Sequence, residues 1–427
     1  QGADDWWAYR SGFRLDYDKP GKDALTLQGD LYHLDSGSRY LVPAFTAPYA
    51  DLFDHTSNHP GGNVLFRWSH TFSPSSQVSL ITYYDRAQVK DVILSNVTDT
   101  FDIDFQHTLK LAPWNELIWG LGYRYYRDNI DNSEVVTFDP SHTRNQLLSA
   151  FIQDEFKFLD DHLRLTLGSR FEHNDYTGFE AQPTARLLWA PNPDHSVWTA
   201  FSRAVRTPSQ VEWDADSIAI SVIPPFTPVN PSPFPVVAEI VGSHDYGSEE
   251  LKAFELGYRF QANKSLAVDI SGFYNLYDDL RTTERGRRRF ELFPAPHFVI
   301  PLKAANRMDG ETYGVEVAAD WHPLKWWRLN AAYTFLYMDL ETDRDSTDLY
   351  TAKSTEGVSP RHQFSFRSRT ELPKNLELDL WLRYVDSLSG IDVPGYVTMD
   401  ARLAWRPQKG LELAVVGQNL LDAGHLE

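Results

Sequence analysis

The sequence predicts an all-β chain: a transmembrane antiparallel β-barrel, with about eighteen strands present. Three observations carry this. Apolar and polar residues alternate with a period of two from end to end, short and long connections alternate along the chain, and aromatic residues gather at both ends of the alternating segments.

Alternation is plainest in 375–385, where Leu376, Leu378, Leu380, Leu382 and Tyr384 share one face and Glu377, Asp379 and Arg383 the other. In 64–72, Val64, Phe66, Trp68 and Phe72 oppose Arg67, Ser69 and Thr71; in 101–109, Phe101, Ile103, Phe105 and Leu109 oppose Asp102, Asp104 and Gln106. Equivalent segments fall near 6–17, 24–34, 77–85, 115–126, 145–158, 162–172, 182–190, 196–205, 249–260, 265–277, 311–321, 326–338, 361–370, 395–405 and 411–418. Most reach the roughly 9 to 11 residues that a tilted strand needs to cross a bilayer.

Short connections carry turn chemistry, as in 18–23 (DKPGKD), 159–162 (LDDH), 190–194 (APNPD), 322–325 (HPLK) and 406–410 (RPQKG). The long ones are read as loops, the largest at about 206–248 and 280–310. Tight turns at one end and large loops at the other describe an outer-membrane barrel. A β-propeller would show a repeat of about 40 residues, which is absent, and a chain of sandwiches would not explain the one-sided loops.

Aromatics give an independent test. Tyr17, Phe72, Phe158, Trp189, Phe260, Trp321 and Trp405 precede short turns, and Trp114, Trp326 and Trp327 follow them; Tyr84, Tyr125, Tyr274, Tyr337 and Tyr384 mark the opposite strand ends. Two belts one strand apart suit two membrane interfaces, because indole and phenol rings place an apolar body in lipid and a polar tip at the headgroups. Trp114, Trp189, Trp321, Trp326, Trp327 and Trp405 are the expected membrane-interface anchors. Asp154 breaks the pattern by falling on the apolar face of its segment, so a bulge is expected there. The opposite faces carry charges of both signs, which suit a polar lumen with ion pairs between neighbouring strands.

The composition narrows the function. The 427 residues include 59 acidic and 40 basic ones, a formal charge of −19, which argues against a nucleic-acid binder. No cysteine is present, excluding disulfides and thiolate-ligated zinc. No apolar run is long enough for a transmembrane helix. Gln1 opens the chain with no initiator Met or leader, as after removal of a leader or within a longer protein. The signatures of serine hydrolases, zincins and P-loop nucleotide binders are missing, so no enzyme is expected. The acidic stretch 339–348 lacks the Gly and terminal Glu of an EF-hand, so it reads as a solvated loop and no metal site is expected.

FSRAVRTPS at 201–209, SAFIQDEF at 149–156 and VVGQNLLDAGHLE at 415–427 together resemble TonB-dependent receptors of the Gram-negative outer membrane. The resemblance covers essentially the whole chain. It implies a 22-stranded barrel, an N-terminal plug and a TonB box that couples transport to the inner-membrane proton gradient. Against that pattern, residues 1–427 read as a partial receptor barrel without plug, first strands or last strand. The partners implied are TonB, outer-membrane lipid and lipopolysaccharide, and a small-molecule ligand such as a ferric siderophore, with no cofactor.

Ligand capture falls to the long loops. The candidates are Arg206, Trp213, His244 and Tyr246 in the larger loop and Arg281, Arg285, Arg287, Arg288 and Arg289 in the next. Clustered guanidinium groups suit an anionic ligand, since they pair bidentately with carboxylate, phosphate or catecholate oxygens. Lipopolysaccharide phosphates or loop-to-loop ion pairs would use the same arginines. A passive porin is the alternative function, and an adhesive barrel a third.

Overall fold

The computed structural model describes residues 3–263, 265–421 and 424. Eighteen long strands follow one another as neighbours, each pairing antiparallel with the next, from Trp6–Lys19 and Asp23–Pro43 through to Tyr396–Gln408 and Leu411–Gly417. They coincide with the eighteen predicted segments. Four further strands, Val136–Phe138, Ala215–Ile223, Val236–Val241 and Arg289–Glu291, lie in the long connections and bring the sheet to twenty-two. No pairing joins Trp6–Lys19 to Leu411–Gly417 among the described residues.

The two faces of the wall differ as alternation requires. Outward residues such as Leu15, Val64, Phe101, Leu121, Ile152, Leu256 and Val415 are exposed. Inward charges pair across neighbouring strands: Arg10 with Asp30 (2.8 Å), Arg124 with Asp102 (2.8 Å), Arg367 with Asp379 (2.5 Å) and Arg383 with Asp400 (2.9 Å). Asp102 stands directly opposite Arg124, and the other three pairs meet on the diagonal, two residues off the opposite position and still within reach of long side chains.

Five of the six singled-out tryptophans, Trp114, Trp189, Trp321, Trp326 and Trp405, are 44 to 54% exposed at the end of the tight turns. Trp327 is less exposed because it stacks on Trp326 (6.3 Å, 16°) and donates its indole N–H to Ser368 Oγ (3.0 Å).

Two expectations change. The strand His142–Phe158 carries no bulge at Asp154, since its register runs unbroken against Asn115–Asp131 and Leu163–Asn174. Asp154 is accommodated by chemistry instead: Asn115, only 6% exposed at the start of the neighbouring strand, donates its side-chain N–H to the carboxylate. The stretch 280–310 is also no simple loop. Leu266–Arg285 and His297–Leu324 stay hydrogen-bonded as far as Arg285 and Leu302, leaving a short excursion between them. Beyond the bilayer both faces of a ribbon meet water, so the ladder continues with no apolar alternation to reveal it.

Candidate ligand site at the loop end

Strand His195–Arg206 ends at a turn into helix Gln210–Asp214, which is started by a capping box: Ser209 Oγ accepts from Glu212 N, and the Glu212 carboxylate accepts from Ser209 N (2.9 Å). Strand Ala215–Ile223 then pairs antiparallel with Val136–Phe138 and Val236–Val241, and the latter runs parallel to 298–303 of the long strand His297–Leu324. Ile130, Val136, Phe138, Ala215, Ala219 and Val237 form a small apolar core beneath this ribbon. The largest loop is thus a packed structure that holds its polar side chains in place.

Arg206, the last residue of its strand, is the centre of that arrangement. Its guanidinium donates to both Glu212 oxygens (3.0 Å each), to Glu249 (2.6 and 2.7 Å) and to Tyr246 Oη (2.6 Å). Tyr246 donates in turn to Glu249 (2.7 Å), and Arg281 approaches Glu212 at 3.4 Å while its backbone N–H donates to Glu249 (3.0 Å). Burial pushes the Glu212 carboxyl up, but the hydrogen bonds from Arg206 and Ser209 outweigh it and hold the group down at about 2. Tyr246, 1% exposed, is pushed well above the phenol range, first by burial and then by its bond to Glu249. Trp213 stacks on His244 (5.2 Å, 24°) and meets Tyr176 edge-on (5.3 Å), while His244 Nε2 lies 3.4 Å from Asp214.

The structure brings Arg206, Tyr246 and Arg281 together, with Trp213 and His244 as an adjacent stacked pair. It does not gather the remaining arginines. Arg288 covers the Phe298 ring at 3.7 Å, and Arg289 is bound by Glu239 and Glu291 (2.5 Å to the latter). Arg287 is exposed. Arg285 lines a separate cavity of about 450 Å³ with Lys303 and Arg307. There Lys303 pairs with Asp245 (3.3 Å) and Arg307 with Asp345 (3.0 Å), but these carboxylates are 93% and 78% exposed, so the contacts are solvent-screened and exchangeable.

Sequence reading missed the acids Glu212, Glu249 and Glu239, which take up much of the arginine charge. Ser209-x-x-Glu212 was the available signal for the first, as a capping signature directly after Arg-Thr-Pro. It also missed a second cavity of about 450 Å³, where Arg206, Glu249 and Arg281 face Met308, Met338 and Leu340 from distant strands. Nothing local joins those positions.

These features define an outer-membrane receptor barrel: amphipathic strands, tight turns at one end, and a structured, charged mouth at the other. Residues 2–420 match the family of TonB dependent receptor-like β-barrels, and the chain belongs to that family. Its members are transporters of the Gram-negative outer membrane and not enzymes; the turn end therefore faces the periplasm and the loop end the outside. Over 242 residues the chain is 24% identical to the iron-regulated outer membrane virulence protein of Vibrio cholerae, a match spanning 55% of this chain and 34% of that protein. The chain thus spans about a third of that relative's length. Its fold is similar to the siderophore receptor PirA of Acinetobacter baumannii (TM-score 0.72, 13% identity, 99% of this chain and 68% of that one). A variant of the ferric enterobactin receptor PfeA of Pseudomonas aeruginosa is similar too (TM-score 0.73, 12% identity, 98% and 65%).

Proposed function

We propose that this barrel belongs to an active-transport receptor that binds a scarce anionic nutrient, a ferric siderophore or similar chelate, at its extracellular loops and imports it with energy from TonB. The observation that carries the ligand class is the cavity lined by Arg285, Lys303 and Arg307, in which the carboxylates paired with Lys303 and Arg307 are highly exposed. An incoming polyanion with several oxygens can displace those carboxylates and take bidentate bonds from the guanidinium groups. The Arg206–Glu212–Glu249 network contributes differently: its charges are satisfied internally, so it holds the loop in shape beside Arg281. Printed descriptions of the relatives as iron-regulated, siderophore and ferric enterobactin receptors support the same reading. TonB is engaged through a plug and TonB box, which the family resemblance implies. Trp114, Trp189, Trp321, Trp326, Trp327 and Trp405 serve as periplasmic-side interface anchors.

The test is a binding assay on the complete receptor with Arg285, Lys303 and Arg307 changed to Gln. Ferric siderophore affinity should fall by at least tenfold, about 1.4 kcal/mol. Unchanged affinity removes these residues from the site.

A further inference from the structure

We propose that the outer face of strands Ser76–Val89, Ser95–Ala112, Asn115–Asp131 and His142–Phe158 carries a binding site for the phosphorylated headgroup of an outer-leaflet glycolipid, built on Arg127 and Arg144. Four residues on these neighbouring strands stand in one cross-strand row: Arg86 opposite Asp99, Asp99 opposite Arg127, and Arg127 opposite Arg144. The row two residues nearer the membrane centre is Tyr84, Phe101, Tyr125 and Gln146, with Tyr84 and Phe101 exposed on the lipid-facing side. Positions two apart share a face, so the charged row lies on the same outward side, about 7 Å beyond the aromatic girdle and at the level of the headgroups.

Its charges are unbalanced. Asp99 is taken by Arg86 (3.1 Å) and by the Tyr84 hydroxyl (2.6 Å). Arg127 donates only to neutral Asn129 (3.3 Å), and among the described residues no carboxylate lies within 4.0 Å of Arg127 or Arg144. Two like charges directly opposite each other across a ladder are unfavourable unless an anion lies between them. Exposed His142 stands on the same face, two residues from Arg144, and adds a further N–H donor.

The contrast with another part of the same rim is direct. Arg203 and Lys252, also opposite each other on the outer face, are both neutralised: Arg203 by Glu250 (2.8 Å), and Lys252 by Glu250 and Asp278 (2.8 Å each). Among the described residues, a cation pair left uncompensated beside paired charges, at headgroup depth on an acidic protein, fits a phosphate supplied by the membrane. Guanidinium forks on adjacent strands would each donate to phosphate oxygens, turning the repulsive pair into a bridge.

The complete receptor and its R127Q/R144Q variant are to be placed in phosphatidylcholine nanodiscs doped with bisphosphorylated or dephosphorylated lipid A, and bound lipid A counted by native mass spectrometry. The wild type should retain the phosphorylated form over the dephosphorylated one by about an order of magnitude, as two arginines at a charged surface give. R127Q/R144Q should lose that preference while keeping its heat-modifiable electrophoretic shift, and R127K/R144K should keep part of it. An unchanged preference in R127Q/R144Q overturns the proposal. So does displacement of lipid A by excess inorganic phosphate, which would make the row a free-anion site.

Discussion

Arg206 and Glu212, six residues apart across a Thr-Pro-Ser turn, are joined by two parallel hydrogen bonds of 3.0 Å, and this clamp fixes where the largest extracellular loop leaves the wall. The carboxylate is 6% exposed and the guanidinium 47%. Changing Arg206 to Met leaves a buried carboxylate with only Ser209 and the distant edge of Arg281. We expect a local loss of about 2 kcal/mol, below the full cost of breaking a buried pair because Arg206 is half-exposed. Hydrogen exchange across 207–248 should quicken while the strands stay protected.

The same clamp sets a pH dependence. Glu212 is held at about 2 in the folded loop against an ordinary value of 4.5, so its stabilisation is fully present above about 4.5 and lost as the pH falls toward 2. Hydrogen-exchange protection across 207–248, corrected for the intrinsic exchange rate, should be flat from neutral pH to about 5 and fall below 4.5. A Glu212→Gln variant should lack the low-pH change.

Asn115 is predicted to protect Asp154 on the lipid-facing side. Replacing Asn115 with Ala should destabilise the folded barrel by about 1 to 3 kcal/mol, the cost of an unsatisfied carboxylate away from water. Replacing both, Asn115→Ala with Asp154→Leu, should recover most of that loss. Denaturant unfolding in lipid measures the cycle, and additive single effects would show that the two side chains act independently.

Gly314 sits opposite Phe273, whose ring lies over it. A Cβ there would come within 2.2 Å of the Phe335 carbonyl and 2.6 Å of the ring. Gly314→Val should therefore cost at least about 1 to 3 kcal/mol through overpacking. Outer-membrane levels should drop, with partial recovery when Phe273 is reduced to Ala.

The extent of the wall was legible from residue order alone, because lipid on one side and a polar lumen on the other impose a period of two on every strand. Trp321, Trp326 and Trp327 beside their turn, and Leu376 to Tyr384 on one face, are local consequences of that solvent geometry. Where the solvent is water on both sides the period vanishes. The ribbon that pairs 280–285 with 302–308 and the parallel pairing of Val236–Val241 with 298–303 therefore left no trace in the sequence. Asp154 looked like a defect because its partner lies 39 residues away.

What the sequence by itself determined is the class of protein, its membrane orientation and which residue types stand at the mouth. Only the tertiary structure decided which of those arginines are free. Arg206 and Arg289 meet acids that folding brings from elsewhere, whereas Arg285 is left in a solvent-facing cavity and Arg127 and Arg144 are set side by side. Charge neutralisation acts between groups within a few ångströms, and that proximity belongs to strand register and loop packing rather than to spacing along the chain.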